Sequence, residues 1–319
     1  MRTRSSIKLF AAASVLVILT LALWANGLLD AQDKQPAKGP AAKKPLRKAE
    51  WLDSSRAEPN GTKYRTFPSK LAGSDVSYLV YLPPDYEKQT KRYPVIYWLH
   101  GTGGSQQAGA IRFIPEVDSA IKKGFLPPAI VVSVNGMVNG WYCDSIDGKQ
   151  PLESVIVKEL IPHVDQTYRT VARREGRVVQ GFSMGGYGAA HLGFKYPEVF
   201  GTVVADAGAL IDENFKKAHV PETFGDDKDH FLAEHPYQLA VKNADKIRGK
   251  TNVRIACGSK DGLLARTKEL HKILDEQKIE HQYEVVPDVA HESDKYYKLL
   301  GTKGLEIHRK AFEALDKAK

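Results

Sequence analysis

A doubly wound α/β domain, with a mostly parallel sheet covered by helices on both faces, is predicted by three features of this 319-residue chain. Short runs of consecutive apolar residues recur along the body, as strands buried on both faces require. Helical patterns separate most of these runs, the alternation that produces a parallel sheet. Reactive residues stand just beyond several of the runs, where ligands gather in such sheets.

The first strand is read in "SDVSYLVYLPPDYE", whose apolar and polar residues alternate until Pro83-Pro84 stops it. A continuous apolar run from Pro94 to Leu99 follows, then runs at 128–134, 177–182, 201–208, 252–258 and 281–287. Helical patterns cover roughly 152–168, 184–197, 263–277 and 293–316.

Before this body lie two segments of different character. Arg2, Arg4 and Lys8 precede the uncharged run Leu9 to Leu29, which contains the small-x-small pattern Ala25-Asn26-Gly27. Residues 1–29 therefore read as a cleaved secretory signal peptide. The run is also about long enough to span a bilayer, which leaves an uncleaved membrane anchor as the alternative. Either reading places the body outside the cytoplasm. Residues 30–50 are rich in Lys, Pro and Ala with almost no large apolar side chain, so they are expected to form a flexible linker to a single α/β domain at 51–319.

The net charge of +8 is concentrated at this end: residues 1–50 hold nine Lys/Arg against three acidic residues, leaving +2 for the rest. A nearly neutral body without a basic stripe argues against a nucleic-acid partner. Cys143 and Cys257 are read either as two separate buried thiols or, in an exported protein, as a disulfide.

The stretch "VVQGFSMGGYGAAH", 178–191, turns an apolar run directly into a small-residue helix. Gly181, Ser183 and Gly185 fit G-x-S-x-G, in which a serine on a sharp strand-to-helix turn is pushed out of the chain. The helix start aims free N–H groups and its positive dipole end at the same place. Serine is a weak nucleophile at its own pKa, so a histidine must take its proton and a carboxylate must orient that histidine. Asp261 follows the strand at 252–258 and His291 follows the strand at 281–287. Ser183, Asp261, His291 is the chain order of the α/β-hydrolase fold. His191 falls two turns into the elbow helix and points away, and His100 is expected to pack within its turn. The glycine-rich "LHGTGGS", 99–105, follows an early strand and is the candidate oxyanion loop, with the backbone N–H groups of Thr102 and Met184 as the two donors.

Together, "YPVIYWLHGTGG", "GFSMGGYGA", "GSKDGLL" and "VAHESDKYY" resemble the esterase D-like branch of α/β-hydrolases. That branch includes S-formylglutathione hydrolases, feruloyl and acetyl xylan esterases, siderophore esterases and mycolyl transferases. The resemblance spans roughly residues 62–316 and implies that Ser183, Asp261 and His291 are nucleophile, acid and base. The shared motifs bear on fold and triad; substrate choice lies in the loops.

The segment 135–153 follows the strand before the elbow strand and is expected to hang over the site. Trp141 and Tyr142 are candidates to stack on a sugar ring or aromatic acyl group, with loop packing as the alternative. Asp144 is a candidate partner for substrate hydroxyls, or else shapes the turn. The insertion 212–236 is read as a partial lid. No metal-ligand spacing, dinucleotide motif or Walker motif is found, so no cofactor or metal is expected. The expected function is an exported serine esterase acting on an acylated saccharide. The alternatives are another small ester or thioester, acyl transfer, or carbohydrate binding without turnover.

Overall fold

Three mainly apolar pentapeptides make the middle of the sheet: Val95–Leu99 (β3), Ile130–Val134 (β4) and Thr202–Asp206 (β6) are buried at every position. The computed structural model describes residues 50–211 and 221–317. The predicted leader at 1–29, nearly all of the predicted linker and part of the predicted lid, 212–220, lie outside the described residues. Among the described residues no helix is long and apolar enough to cross a membrane.

Eight strands form one sheet in the order β1-β2-β4-β3-β5-β6-β7-β8. Thr62–Ser69 (β1) and Ser74–Tyr81 (β2) form an antiparallel hairpin, and β2 runs antiparallel to β4 with Tyr78 opposite Val134. From β4 onward, through β3, Arg177–Phe182 (β5), β6, Asn252–Gly258 (β7) and His281–Val286 (β8), every pairing is parallel. The predicted α/β-hydrolase architecture, a mostly parallel doubly wound sheet, is therefore the observed one.

Alternate residues of each central strand serve two cores. Val95, Tyr97 and Leu99 face a core closed by the helical segment 152–167, the elbow helix Met184–Lys195 and the helix Leu264–Glu276. Ile96 and Trp98 face the opposite core, under Gln107–Arg112, Ile114–Lys122 and the C-terminal helices Ser293–Leu300 and Glu306–Lys317. Cys143 belongs to the first core and Cys257 to the second, so the sheet separates the two thiols. Both are free, which excludes the disulfide alternative.

Several elements depart from expectation. Strand β1 is additional. The helices between 107 and 122 were not read from the sequence, and the single helix expected at 293–316 is divided at Gly301, which takes φ +48. The described part of the predicted lid is no loose flap: Phe224 and Phe231 are fully buried, and Thr223 bonds both neighbours in the 135–153 segment, its hydroxyl donating to Asn139 O at 3.0 Å and its carbonyl accepting from Ile146 N at 2.8 Å.

Candidate active site

Ser183 occupies the turn between β5 and the elbow helix with φ +63 and ψ −119, a conformation that costs a non-glycine residue on the order of 1–3 kcal/mol. Surrounding contacts enforce it. Ser183 N donates to Asp206 O at 3.0 Å, and Ser183 O accepts from Tyr187 N at 3.0 Å and Ala209 N at 2.9 Å. Glycine is obligatory on both sides, because a Cβ on Gly181 would lie 2.3 Å from Gly185 O, and one on Gly185 would lie 2.0 Å from Leu99 O.

The expected carboxylate and imidazole converge on this serine. His291 Nε2 lies 2.9 Å from Ser183 Oγ, and His291 Nδ1 lies 2.7 Å from Asp261 Oδ2. With the ring hydrogen on Nδ1 donated to the carboxylate, the Nε2 lone pair is free to accept the serine O–H. Asp261 Oδ1 accepts from Leu263 N at 2.9 Å, so both carboxylate oxygens are engaged. The carboxylate is buried while the imidazole is 40% exposed, leaving the base open to the cavity and its orienting charge shielded from water. The two loops are sewn together by Lys260 N to Val289 O at 2.9 Å and Asp288 N to Ser259 Oγ at 2.9 Å. Next to Asp261, burial pushes the Cys257 thiol up to about 12, reinforced by the carboxylate, which keeps that sulfur neutral.

Thr102 lines the cavity beside Ser183, and Met184 is the first residue of the elbow helix. Among the described residues neither backbone N–H has an acceptor. His100 packs as expected: fully buried, it bonds Gly101 O through Nδ1 at 2.9 Å and accepts from Gly136 N through Nε2 at 3.0 Å, fastening the glycine-rich loop to the segment after β4.

The three residues expected to meet substrate do not. Trp141 and Tyr142 are 2% and 0% exposed and do not line the cavity, because both adopt positive φ, 51° and 59°, which folds the segment inward. Trp141 stands edge-on to Tyr187 at 5.2 Å between ring centroids, and Tyr142 donates its hydroxyl to His100 O at 2.9 Å. Asp144 accepts from Ser154 N at 2.9 Å and Ser154 Oγ at 2.6 Å, tying down the start of the 152–167 helix. All three are packing and turn residues, which corrects their assignment to substrate.

The cavity over Ser183 measures about 690 Å³. Its apolar surface comes from Trp98, Ala108 and Phe182, and its charged wall from Arg112, Glu292, Asp294 and Lys295. Arg112 Nε pairs with Asp294 Oδ1 at 3.0 Å across this wall. Arg112, Asp294 and Lys295 were not legible as lining residues, because Arg112 ends a helix the sequence did not reveal and the other two lie in the tail of the "HESDK" stretch.

It also missed Asp206. This fully buried carboxylate at the end of β6 accepts from Gln180 Nε2 at 2.7 Å, Arg254 Nη1 at 2.8 Å, Tyr296 OH at 2.7 Å and Tyr297 OH at 3.3 Å. Tyr297 in turn accepts from Trp98 Nε1 at 3.2 Å, in the cavity lining. A carboxylate inside the apolar run "TVVADA" was the available signal, since a buried charge needs partners.

Comparison with known proteins bears on the family and the fold. The Esterase family model matches residues 69–315. An esterase of Mycobacterium tuberculosis is 32% identical over 160 residues, covering 49% of this chain and 34% of its own. The endo-1,4-beta-xylanase/feruloyl esterase of Xylanibacter ruminicola is 36% identical over 150 residues, covering 43% and 20%. The chain thus spans about a third or less of the length of these two relatives. An acetyl esterase of Caldicellulosiruptor saccharolyticus is 24% identical over 243 residues, covering 68% of this chain and 87% of its own. Among solved structures, a ferulic acid esterase superposes with TM-score 0.69 at 23% identity, over 79% of this chain and 98% of its own. An S-formylglutathione hydrolase from Agrobacterium tumefaciens superposes with TM-score 0.65 at 18% identity, over 81% and 99%. With an α/β-hydrolase sheet, a serine elbow and a family match that covers most of the body, this chain belongs to the Esterase family.

Proposed function

We propose that the protein is an exported serine esterase that releases acyl groups, feruloyl or acetyl, from saccharides. The observation that carries the chemistry is the continuous hydrogen-bonded chain Ser183–His291–Asp261 at the mouth of a cavity. Ser183 Oγ attacks the ester carbonyl carbon while His291 Nε2 takes its proton, and the N–H groups of Thr102 and Met184 stabilise the oxyanion. Collapse breaks the bond to the leaving alkoxide, which receives the proton from His291. Water, activated by the same imidazole, then attacks the acyl-enzyme, and the acid departs with Ser183 restored. Asp261 holds the tautomer and offsets the imidazolium charge throughout.

Substrate class is supported by relatives named feruloyl and acetyl esterases. Export rests on the N-terminal apolar run, 9–29. Turnover of p-nitrophenyl acetate, a feruloylated xylo-oligosaccharide, an acetylated xylan and S-formylglutathione by the full chain tests the reading. The feruloylated or acetylated saccharide is expected to give the highest kcat/KM. Preference for the thioester would overturn the saccharide assignment, and absence of all turnover would overturn catalysis.

A further inference from the structure

Away from the catalytic residues, two histidines and a carboxylate converge at the other end of the sheet. His271 and Asp275 lie one turn apart near the end of the helix Leu264–Glu276, and His281 opens β8, whose far end leads to His291. His271 Nδ1 is 2.7 Å from His281 Nε2, while Asp275 Oδ2 is 3.6 Å from the former and Asp275 Oδ1 4.0 Å from the latter. We propose that His271, Asp275 and His281 form a binding site for a divalent transition cation of the zinc type.

The second contact of each imidazole prepares this role. His281 Nδ1 bonds Ile279 O at 2.8 Å, which places its ring hydrogen there and leaves the Nε2 lone pair to accept the His271 Nδ1 hydrogen, which a cation would displace. A backbone carbonyl on the remote ring nitrogen is the arrangement that orients metal-binding histidines. The His271 ring is stacked on Tyr283, 4.2 Å between centroids and 14° from parallel, which restricts its orientation. Asp275 pairs with no lysine or arginine among the described residues, so its charge is available to a cation.

Two nitrogens and one oxygen suit zinc, with water in the fourth position. Tetrahedral bonds of about 2.0–2.1 Å set ligand atoms about 3.3 Å apart, so the two nitrogens must open by about 0.6 Å. Partly exposed His271 and Asp275 can make that adjustment, with buried His281 as the fixed ligand. A second group of potential ligands, Cys143, Glu153 and His191, differs decisively. There Lys195 Nζ already lies 2.9 Å from Glu153 Oε1 and supplies the positive charge. A bound ion at His271 would join the helix that follows Asp261 to the strand that precedes His291, stabilising the frame of acid and base.

Calorimetric titration of the chelator-treated full chain with zinc chloride tests the site, with thermal melting as a second readout. One zinc ion per chain and a raised Tm are expected, with affinity reduced about tenfold or more in His271→Ala and reduced also in Asp275→Asn. Both side chains are partly exposed, so these variants retain the fold. No saturable binding by the parent chain, or undiminished binding in His271→Ala, would contradict the proposal.

Discussion

Tyr296 donates its hydroxyl to Asp206 Oδ1 at 2.7 Å, joining the strand beside the nucleophile to the helix that begins two residues after His291. The same aspartate holds the buried Arg254, and its main-chain carbonyl accepts from Ser183 N. One residue thus ties the turn that holds Ser183 to the helix that follows His291. Asp206→Asn removes a buried charge opposite Arg254 and is expected to cost about 3–5 kcal/mol in urea unfolding. Tyr296→Phe should cost about 1 kcal/mol and lower kcat on a small ester with KM little changed. Unchanged stability in Asp206→Asn would show that the network is dispensable.

Asp261 shares the second half of this relationship. Asp261→Asn presents an amide to His291 Nδ1 and favours the wrong tautomer, so kcat should fall by about 10⁴ while the fold persists. Circular dichroism and ester hydrolysis measured on the same sample check both parts.

Trp141 packs against Tyr187 instead of meeting substrate, and Trp141→Ala should therefore act on stability. A loss of about 3–5 kcal/mol is expected from the cavity it leaves. KM for a feruloylated saccharide and for p-nitrophenyl acetate should change by the same factor. A selective rise for the saccharide alone would return Trp141 to the binding surface.

The places of these residues in the fold show how far the sequence could be read. Ser183, Asp261 and His291 were legible because each stands at the end of an apolar run, and the chain order of the three restricts the fold. Trp141 and Tyr142 were misplaced because a loop sequence does not reveal two successive positive φ angles, which turned their rings into the core. β1 was hidden by Pro68 and by polar residues on an edge strand. The helices at 107–122 were masked by Gly109 inside one and Pro115 at the start of the next. Asp206 needed the third dimension, since its partners come from β5, β7 and the helix Ser293–Leu300.

Two buried histidines give opposite dependences of stability on pH. Burial, reinforced by Arg254, lowers His308 to about 3, so the folded chain keeps it neutral where the unfolded chain binds a proton. Its contribution to stability is present above the ordinary value near 6.5 and is lost as pH falls toward 3, at up to about 1.4 kcal/mol per pH unit. Burial opposes charge on His191, but the Glu153 carboxylate, 2.6 Å from its Nε2, outweighs it and raises that pKa well above 6.5. The contribution of His191 is complete below 6.5 and is lost as pH rises through the raised value. Urea unfolding across pH should therefore show that His308→Leu flattens the acid limb and leaves the alkaline limb unchanged. Parallel curves for the two proteins would refute this assignment.

Whether Ser183 is the nucleophile is tested most directly by covalent capture. The full chain is treated with a fluorophosphonate, digested and mapped by mass spectrometry, and hydrolysis of p-nitrophenyl acetate is followed in parallel. One phosphonyl group on Ser183, loss of activity in step with labelling, and neither labelling nor turnover in a folded Ser183→Ala variant are the expected results. A label on another residue, or near-normal turnover by Ser183→Ala, would contradict the account.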